Sequence, residues 1–223
     1  KTIPFFEKCL NEINSKDNHT SKLIKWIFRM NLSIIIPAFN ESKRIVPTLK
    51  KVEKFIKTRY SNYEIIVVDD CSNDKTKEIV NDLNLDCCKV FSNKKNMGKG
   101  YSVRKGILGA KYENILFTDS DLATPIEEIE KFEKYLKKYD VIIASRNLKQ
   151  SKIKVFQPKY RQMLGNIFPY LVSIFVLGGI KDTQCGFKLF KRKSIMHIIK
   201  KMKINRFAFD VEMLFIAKKF GYK

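Results

Sequence analysis

Five short apolar runs punctuate the chain between residues 32 and 144, and stretches of helical periodicity separate them. Leu32–Pro37, Glu64–Asp70, Cys88–Phe91, Ile115–Phe117 and Val141–Ala144 are brief and bounded by polar turns, which predicts buried strands. Pro47 suits the first turn of a helix after the first strand. Asp74 or Ser72 suits the N-cap of the next helix. Asn96-Met97-Gly98-Lys99-Gly100 opens a helix running to about Lys111. Thr124-Pro125-Ile126-Glu127 combines an N-cap threonine, a first-turn proline and a glutamate at N3, and Ile126, Ile129, Phe132 and Leu136 continue it as one apolar stripe. Strands alternating with helices predict an α/β fold: a Rossmann-like, mostly parallel sheet flanked by helices on both faces, in a single domain. Right-handed crossovers then gather the loops that follow the strands on one edge.

Outside this region the pattern changes. Residues 1–30 read as an N-terminal arm whose second half is amphipathic, with Leu23, Ile24, Ile27 and Phe28 at helical spacing; it can lie on a membrane or pack on the domain. The domain itself is expected over 31–223, with a ligand-binding half at 31–147 and a second half at 148–223. Residues 149–161 are basic and irregular, and 167–180 are almost wholly apolar but too short to span a bilayer, so they read as a core helix or as the wall of an apolar groove. Asp182–Phe187 reads as a polar turn, and Phe209–Ala217 as a helix carrying Asp210 and Glu212.

Charge and cysteine usage narrow the chemistry. The 223 residues carry 44 basic and 23 acidic side chains, a formal net charge of +21, which favours anionic partners such as nucleotides, phospholipid surfaces or nucleic acids. The five cysteines lack paired or C-x-x-C spacing, which argues against a disulfide framework or zinc site and for a reducing compartment. Only His19 and His197 are present, so a Ser-His or Cys-His nucleophile is disfavoured and carboxylates and cations are left to act.

Asp119-Ser120-Asp121 follows the fourth strand, at the edge where such sheets bind ligands. Residues i and i+2 of an extended segment share a side, so Asp119 and Asp121 can converge on one hard cation, Mg²⁺ or Mn²⁺, with positions left for substrate phosphates. Taken alone, so short a motif reads more readily as a turn cap beside a solvated carboxylate. Convergence changes that reading, because Pro37–Glu41, Asp70, Asp119, Asp121 and Arg146 are all expected on the same edge.

The sequence resembles the inverting family-2 glycosyltransferases of GT-A type. The resemblance lies in Ile36-Pro37-Ala38-Phe39-Asn40-Glu41, Val67-Val68-Asp69-Asp70-Cys71-Ser72, Asn96–Gly100 and Asp119-Ser120-Asp121, in that order. Two later stretches, Asp182–Phe190 and Arg206–Glu212, are similar to the dolichyl-phosphate β-glucosyltransferases of the endoplasmic reticulum. The resemblance implies a base pocket lined by Pro37, Phe39 and Glu41 with Val68 and Asp70 beside it, and a metal on Asp119 and Asp121. It also implies Arg146 and Arg161 as ligands of the acceptor phosphate. Asp121, Arg146, Arg161 and Glu212 are the expected catalytic residues. Ala123 stands where the related mannosyltransferases carry a metal-contacting glutamine, which favours the glucosyl branch.

The implied reaction is transfer of glucose, with inversion, from UDP-glucose to dolichyl phosphate, giving dolichyl β-D-glucosyl phosphate for N-glycan precursor assembly. Its implied setting is the cytosolic face of the endoplasmic reticulum membrane. The alternative within the class is a dolichyl- or polyprenyl-phosphate mannosyltransferase using GDP-mannose. Outside it stand a catalytically silent scaffold and a basic nucleic-acid-binding protein. No zinc-finger or RRM signature is present, and acids gathered on one edge would repel nucleic-acid phosphates, so no nucleic-acid partner is expected.

Overall fold

The computed structural model describes residues 30–145 and 182–223. The N-terminal arm, Arg146, Arg161 and the apolar run 167–180 lie outside the described residues.

β1 (Leu32–Ala38), β2 (Tyr63–Asp69), β3 (Cys88–Ser92), β4 (Asn114–Thr118) and β5 (Val141–Ile143) lie on the apolar runs picked out in the sequence, and β6 (Phe187–Lys191) joins them. They form one sheet in the order β3-β2-β1-β4-β6-β5. β1 pairs in parallel with β2 and β4, and β2 with β3. β6 runs antiparallel to β4 and β5 on either side, so β5 points the same way as β1 to β4.

Side chains alternate across this sheet with period two. Ile34, Ile36, Ile65, Val67 and Leu116 face one layer, made by α1 (Ile45–Lys57), α2 (Thr76–Asp82) and a 3₁₀ turn, Ile126–Glu128, that runs into α4 (Ile129–Glu133). Ile35, Ile66, Val68, Ile115 and Phe117 face the other, made by α3 (Lys99–Gly109), α5 (Arg192–Lys201) and α6 (Phe209–Lys219). Because both faces are covered, β1 is buried at every position and reads as a continuous apolar run.

Three expectations are corrected. Thr124 does not cap the helix after β4: Pro125 occupies the cap position without a side-chain bond, and the Thr124 hydroxyl lies 3.5 Å from Cys185 Sγ. The helix therefore starts as a 3₁₀ turn one residue beyond the expected proline. Phe187, expected to close the polar turn Asp182–Phe187, instead opens the strand Phe187–Lys191, and α5 follows it directly. Neither Asp74 nor Ser72 caps α2: Lys75 holds the cap position without a side-chain bond, and Asp74 instead accepts from Thr76 N at 3.0 Å and from Ser42 N at 3.1 Å, tying the loop after β2 to the loop after β1. Partial burial opposes its ionisation, and these bonds outweigh it, holding its pKa down at about 2.

At the opposite edge of the sheet Glu64 is buried as a carboxylate. It accepts from Ser33 Oγ at 2.7 Å, Lys111 N at 2.8 Å and Lys89 Nζ at 3.0 Å. Burial would raise its pKa, but these donors together with the Lys89 charge hold it below the usual carboxylate value. Glu64→Ala would leave a buried hydroxyl and amide unpaired, and urea unfolding is expected to show a loss of about 2–3 kcal/mol. Since the folded pKa lies below the unfolded one, the stabilisation is present above the unfolded value of 4.5 and lost as pH falls through the folded value. The gap between wild type and variant should therefore narrow in acid.

Candidate active site

A cleft of about 400 Å³ opens at the carboxyl edge of the sheet. It sits where the strand order reverses, between β1, whose crossover leads outward to β2, and β4 on the other side, the position at which open α/β sheets take ligands. Pro37, Phe39 and Glu41 enter from the end of β1, Asp70 from β2, and Asp119, Ser120 and Asp121 from β4. Asn96, Gly98 and Lys99 come from the start of α3, and Arg206 and Phe207 from the loop before α6.

Backbone-to-side-chain bonds stitch these loops together. Asn40 N donates to Ser72 Oγ at 2.9 Å, Asn73 N to Asn40 Oδ1 at 2.8 Å, and Glu41 N to Thr76 Oγ1 at 2.8 Å. Arg44 donates to both oxygens of Glu41. Thr48 Oγ1 donates to Ser120 O at 2.6 Å and anchors the acidic turn to α1. Asn40, Cys71, Leu122 and Ala208 all take positive φ at the turns around the cleft. Such backbone strain persists only where surrounding structure over-determines it.

Asp70 organises the floor. It accepts from Asn93 Nδ2 at 2.7 Å, Met97 N at 2.8 Å and Gly98 N at 2.7 Å, so the protein's own carboxylate takes the amides that precede α3. Gly98 is required there: its φ is +97°, and a Cβ would lie 2.6 Å from Arg206 Cγ.

The two acids of the motif differ in environment. Asp121 is exposed and accepts from Ala123 N at 3.0 Å. Asp119 is partly buried, with Lys99 Nζ 2.7 Å from Oδ1. Oδ1 is itself buried, and the Lys99 ammonium is the partner that the protein supplies to it. Burial lifts the Asp119 carboxyl above the usual range; Lys99 opposes this, while Asp121 and Asp210 add to it. Lys99 and Lys188 each place Nζ 5.6 Å from the ring centre of Phe117, beneath the site.

The buried Asp119 carboxylate, with a cation already drawn to it in Lys99, beside the accessible carboxylate of Asp121 fits a divalent cation. Among the described residues no cluster of three or more potential ligands forms. The donor set is thus a carboxylate pair, which suits a Mg²⁺- or Mn²⁺-type ion that keeps positions for phosphate oxygens.

The other expected residues fall differently. Val68 is fully buried against the α3 layer and does not line the cleft. Glu212 is also absent from the lining: its two oxygens accept from Lys203 N and Ile204 N at 2.8 Å each. Asp210 is buried in an ion pair with Lys188, whose Nζ also donates to Cys185 O at 2.6 Å. Residues two apart on a helix point in different directions, so Asp210 and Glu212 cannot both face one site. Arg206 and Phe207 were not expected in the cleft. Nothing marked them but their place in the stretch Arg206–Glu212.

The chain is 38% identical over 199 residues to a dolichyl-phosphate beta-glucosyltransferase of Trichomonas vaginalis, covering 83% of this chain and 59% of the relative. It is 35% identical over 205 residues to the dolichyl-phosphate beta-glucosyltransferase of Homo sapiens, covering 85% and 63% respectively. The chain thus spans less than two thirds of the length of either relative. In fold it is similar to glucosyl-3-phosphoglycerate synthase from Mycobacterium tuberculosis, solved with Mn²⁺, UDP-glucose and phosphoglyceric acid, with a TM-score of 0.60 at 18% identity over 88% of this chain and 67% of that one. The profile of glycosyl transferase family 2 matches residues 33–199, three quarters of the sequence, and with the GT-A-type sheet around this cleft it places the chain in that family.

Proposed function

We propose that the protein transfers glucose from UDP-glucose to dolichyl phosphate with inversion, at the cytosolic face of the endoplasmic reticulum membrane. The observation that carries this reading is the convergence on one cleft of the loops after β1 and β2 with the Asp119–Asp121 pair. The names of the relatives support glucose as the sugar and dolichyl phosphate as the acceptor. Phe39 and Pro37 offer an apolar wall for the uracil, and Glu41 and Asp70 polar groups beside it.

Asp119 and Asp121 would hold Mg²⁺ or Mn²⁺, which supplies Lewis-acid stabilisation of the charge that develops on the leaving diphosphate. A phosphate oxygen of the acceptor attacks the anomeric carbon, the bond from that carbon to the β-phosphate oxygen breaks, and the electron pair leaves with UDP. The acceptor's second pKa is near ~6, so it is largely dianionic at neutral pH and needs no strong base. The commitments of Asp210 to Lys188 and of Glu212 to two backbone amides suit such a reaction. Arg146 and Arg161, outside the described residues, are proposed to orient the acceptor phosphate, a role that suits arginine's planar fork.

The test is transfer of radiolabelled sugar into an organic-extractable lipid phosphate, with UDP-glucose and GDP-mannose in parallel and EDTA as control. Label from UDP-glucose should enter the lipid and EDTA should stop it. Label only from GDP-mannose, or none from either, contradicts the reading.

A further inference from the structure

The loop that joins α5 to α6 combines two features that rarely coincide. It is held on every side, yet it presents apolar side chains to solvent. Glu212 accepts from Lys203 N and Ile204 N, Arg104 donates to Met202 O at 3.0 Å and to Asn205 Oδ1 at 2.9 Å, and Tyr101 N donates to Asn205 O at 2.9 Å. Arg206 is bound to Asn96 through Oδ1 at 3.1 Å and through the backbone carbonyl at 3.2 Å. From this frame Phe207 projects with 89% of its surface exposed, and Ile204 with 40%. Exposed Lys200, Lys201, Lys203 and Arg206 surround them in sequence, and the next residue, Ala208, takes φ 69° to turn the chain back into α6.

We infer that the 203–207 loop is an interfacial anchor that seats the mouth of the cleft against an anionic lipid surface, with Phe207 and Ile204 entering the acyl boundary and the flanking cations resting on headgroups. An aromatic and an aliphatic side chain fixed in the open gain from leaving water, and a pre-ordered loop loses little conformational entropy when it docks. Each cation near an anionic leaflet adds about fivefold to partitioning. A net charge of +21 acts in the same direction at longer range. Phe207 also lines the cleft, so this contact would place the membrane at the cleft's entrance, where an acceptor carried on a lipid must arrive. The inference rests on the lipid-phosphate reading given above, but its test does not need turnover.

The full chain is sedimented with vesicles of pure phosphatidylcholine and of phosphatidylcholine with phosphatidylserine, in the absence of any sugar nucleotide. Wild type should bind the anionic vesicles and release them at high salt. Phe207→Asp is expected to weaken that binding at least tenfold. A Lys203→Glu/Ile204→Asp double variant should weaken it similarly while leaving transfer to a water-soluble short-chain isoprenyl phosphate unchanged, because the backbone amides bound by Glu212 remain. Unchanged vesicle binding in both variants overturns the inference. So does a Phe207→Asp protein whose only defect is weaker UDP binding, which would assign the ring to the donor. Failure of wild type to glucosylate any lipid phosphate would instead sink the functional reading and leave the vesicle result standing.

Discussion

Asp121→Asn is expected to reduce sugar transfer by about 10³-fold or more without unfolding the protein. Asparagine keeps the size of the side chain and an oxygen that can still accept from Ala123 N, the one hydrogen bond of this carboxylate among the described residues, and the position is exposed, so little folding energy is at stake. What it loses is a full negative charge beside Asp119. Stabilisation of a leaving diphosphate by a bound cation amounts to several kcal/mol, and about 4 kcal/mol corresponds to roughly three orders of magnitude in rate. The check is kcat under saturating UDP-glucose and Mn²⁺, paired with a thermal melt. A variant with wild-type turnover would remove the metal from the account.

The second large effect comes from a residue with no functional group. Gly186 begins the approach to β6, its carbonyl accepts from Asp119 N at 3.1 Å, and a Cβ placed on it would overlap the Asp119 carboxylate. Gly186→Ala should therefore push that carboxylate from its position while leaving the sheet pairing of β4 and β6 in place. Displacement of a reacting group by about 1 Å costs on the order of 10²-fold in rate. The expected signature is a fall in kcat with weakened Mn²⁺ binding and a near-normal melt. An alanine variant that turns over and binds Mn²⁺ like wild type would show that Asp119 has room to move.

These two residues also mark where the sequence is transparent and where it is not. The acidic motif is legible because β4 is a plain apolar run whose exit must fall on the ligand-binding edge. β1 and β2 are legible for the same reason: strands buried on both faces carry a continuous apolar signal. β6 is hidden by Lys188. A lysine at the second position of a five-residue strand breaks the apolar run, and its ammonium is neutralised by Asp210, twenty-two residues further on, a partner that only tertiary structure supplies. α5 opens with Arg192-Lys193 directly after that strand and shares the concealment.

Side-chain roles were harder to read than elements. Glu212 is expected to be catalytic from the stretch it shares with Asp210, but α6 turns the two apart and Glu212 closes the loop that carries Phe207. Lys99 shows in the sequence only as part of the stretch that opens a helix. In the structure it is the counter-ion of Asp119, because α3 begins next to the exit of β4. Pairings of this kind depend on crossovers whose angle no local pattern encodes.

The most direct test of the central claim is anomalous diffraction from crystals soaked with UDP and Mn²⁺. The account predicts a manganese peak between Asp119 and Asp121 and the diphosphate oxygens, with the uracil beside Phe39 and Asp70. Nucleotide in the cleft with both carboxylates turned away and no manganese beside them would contradict it.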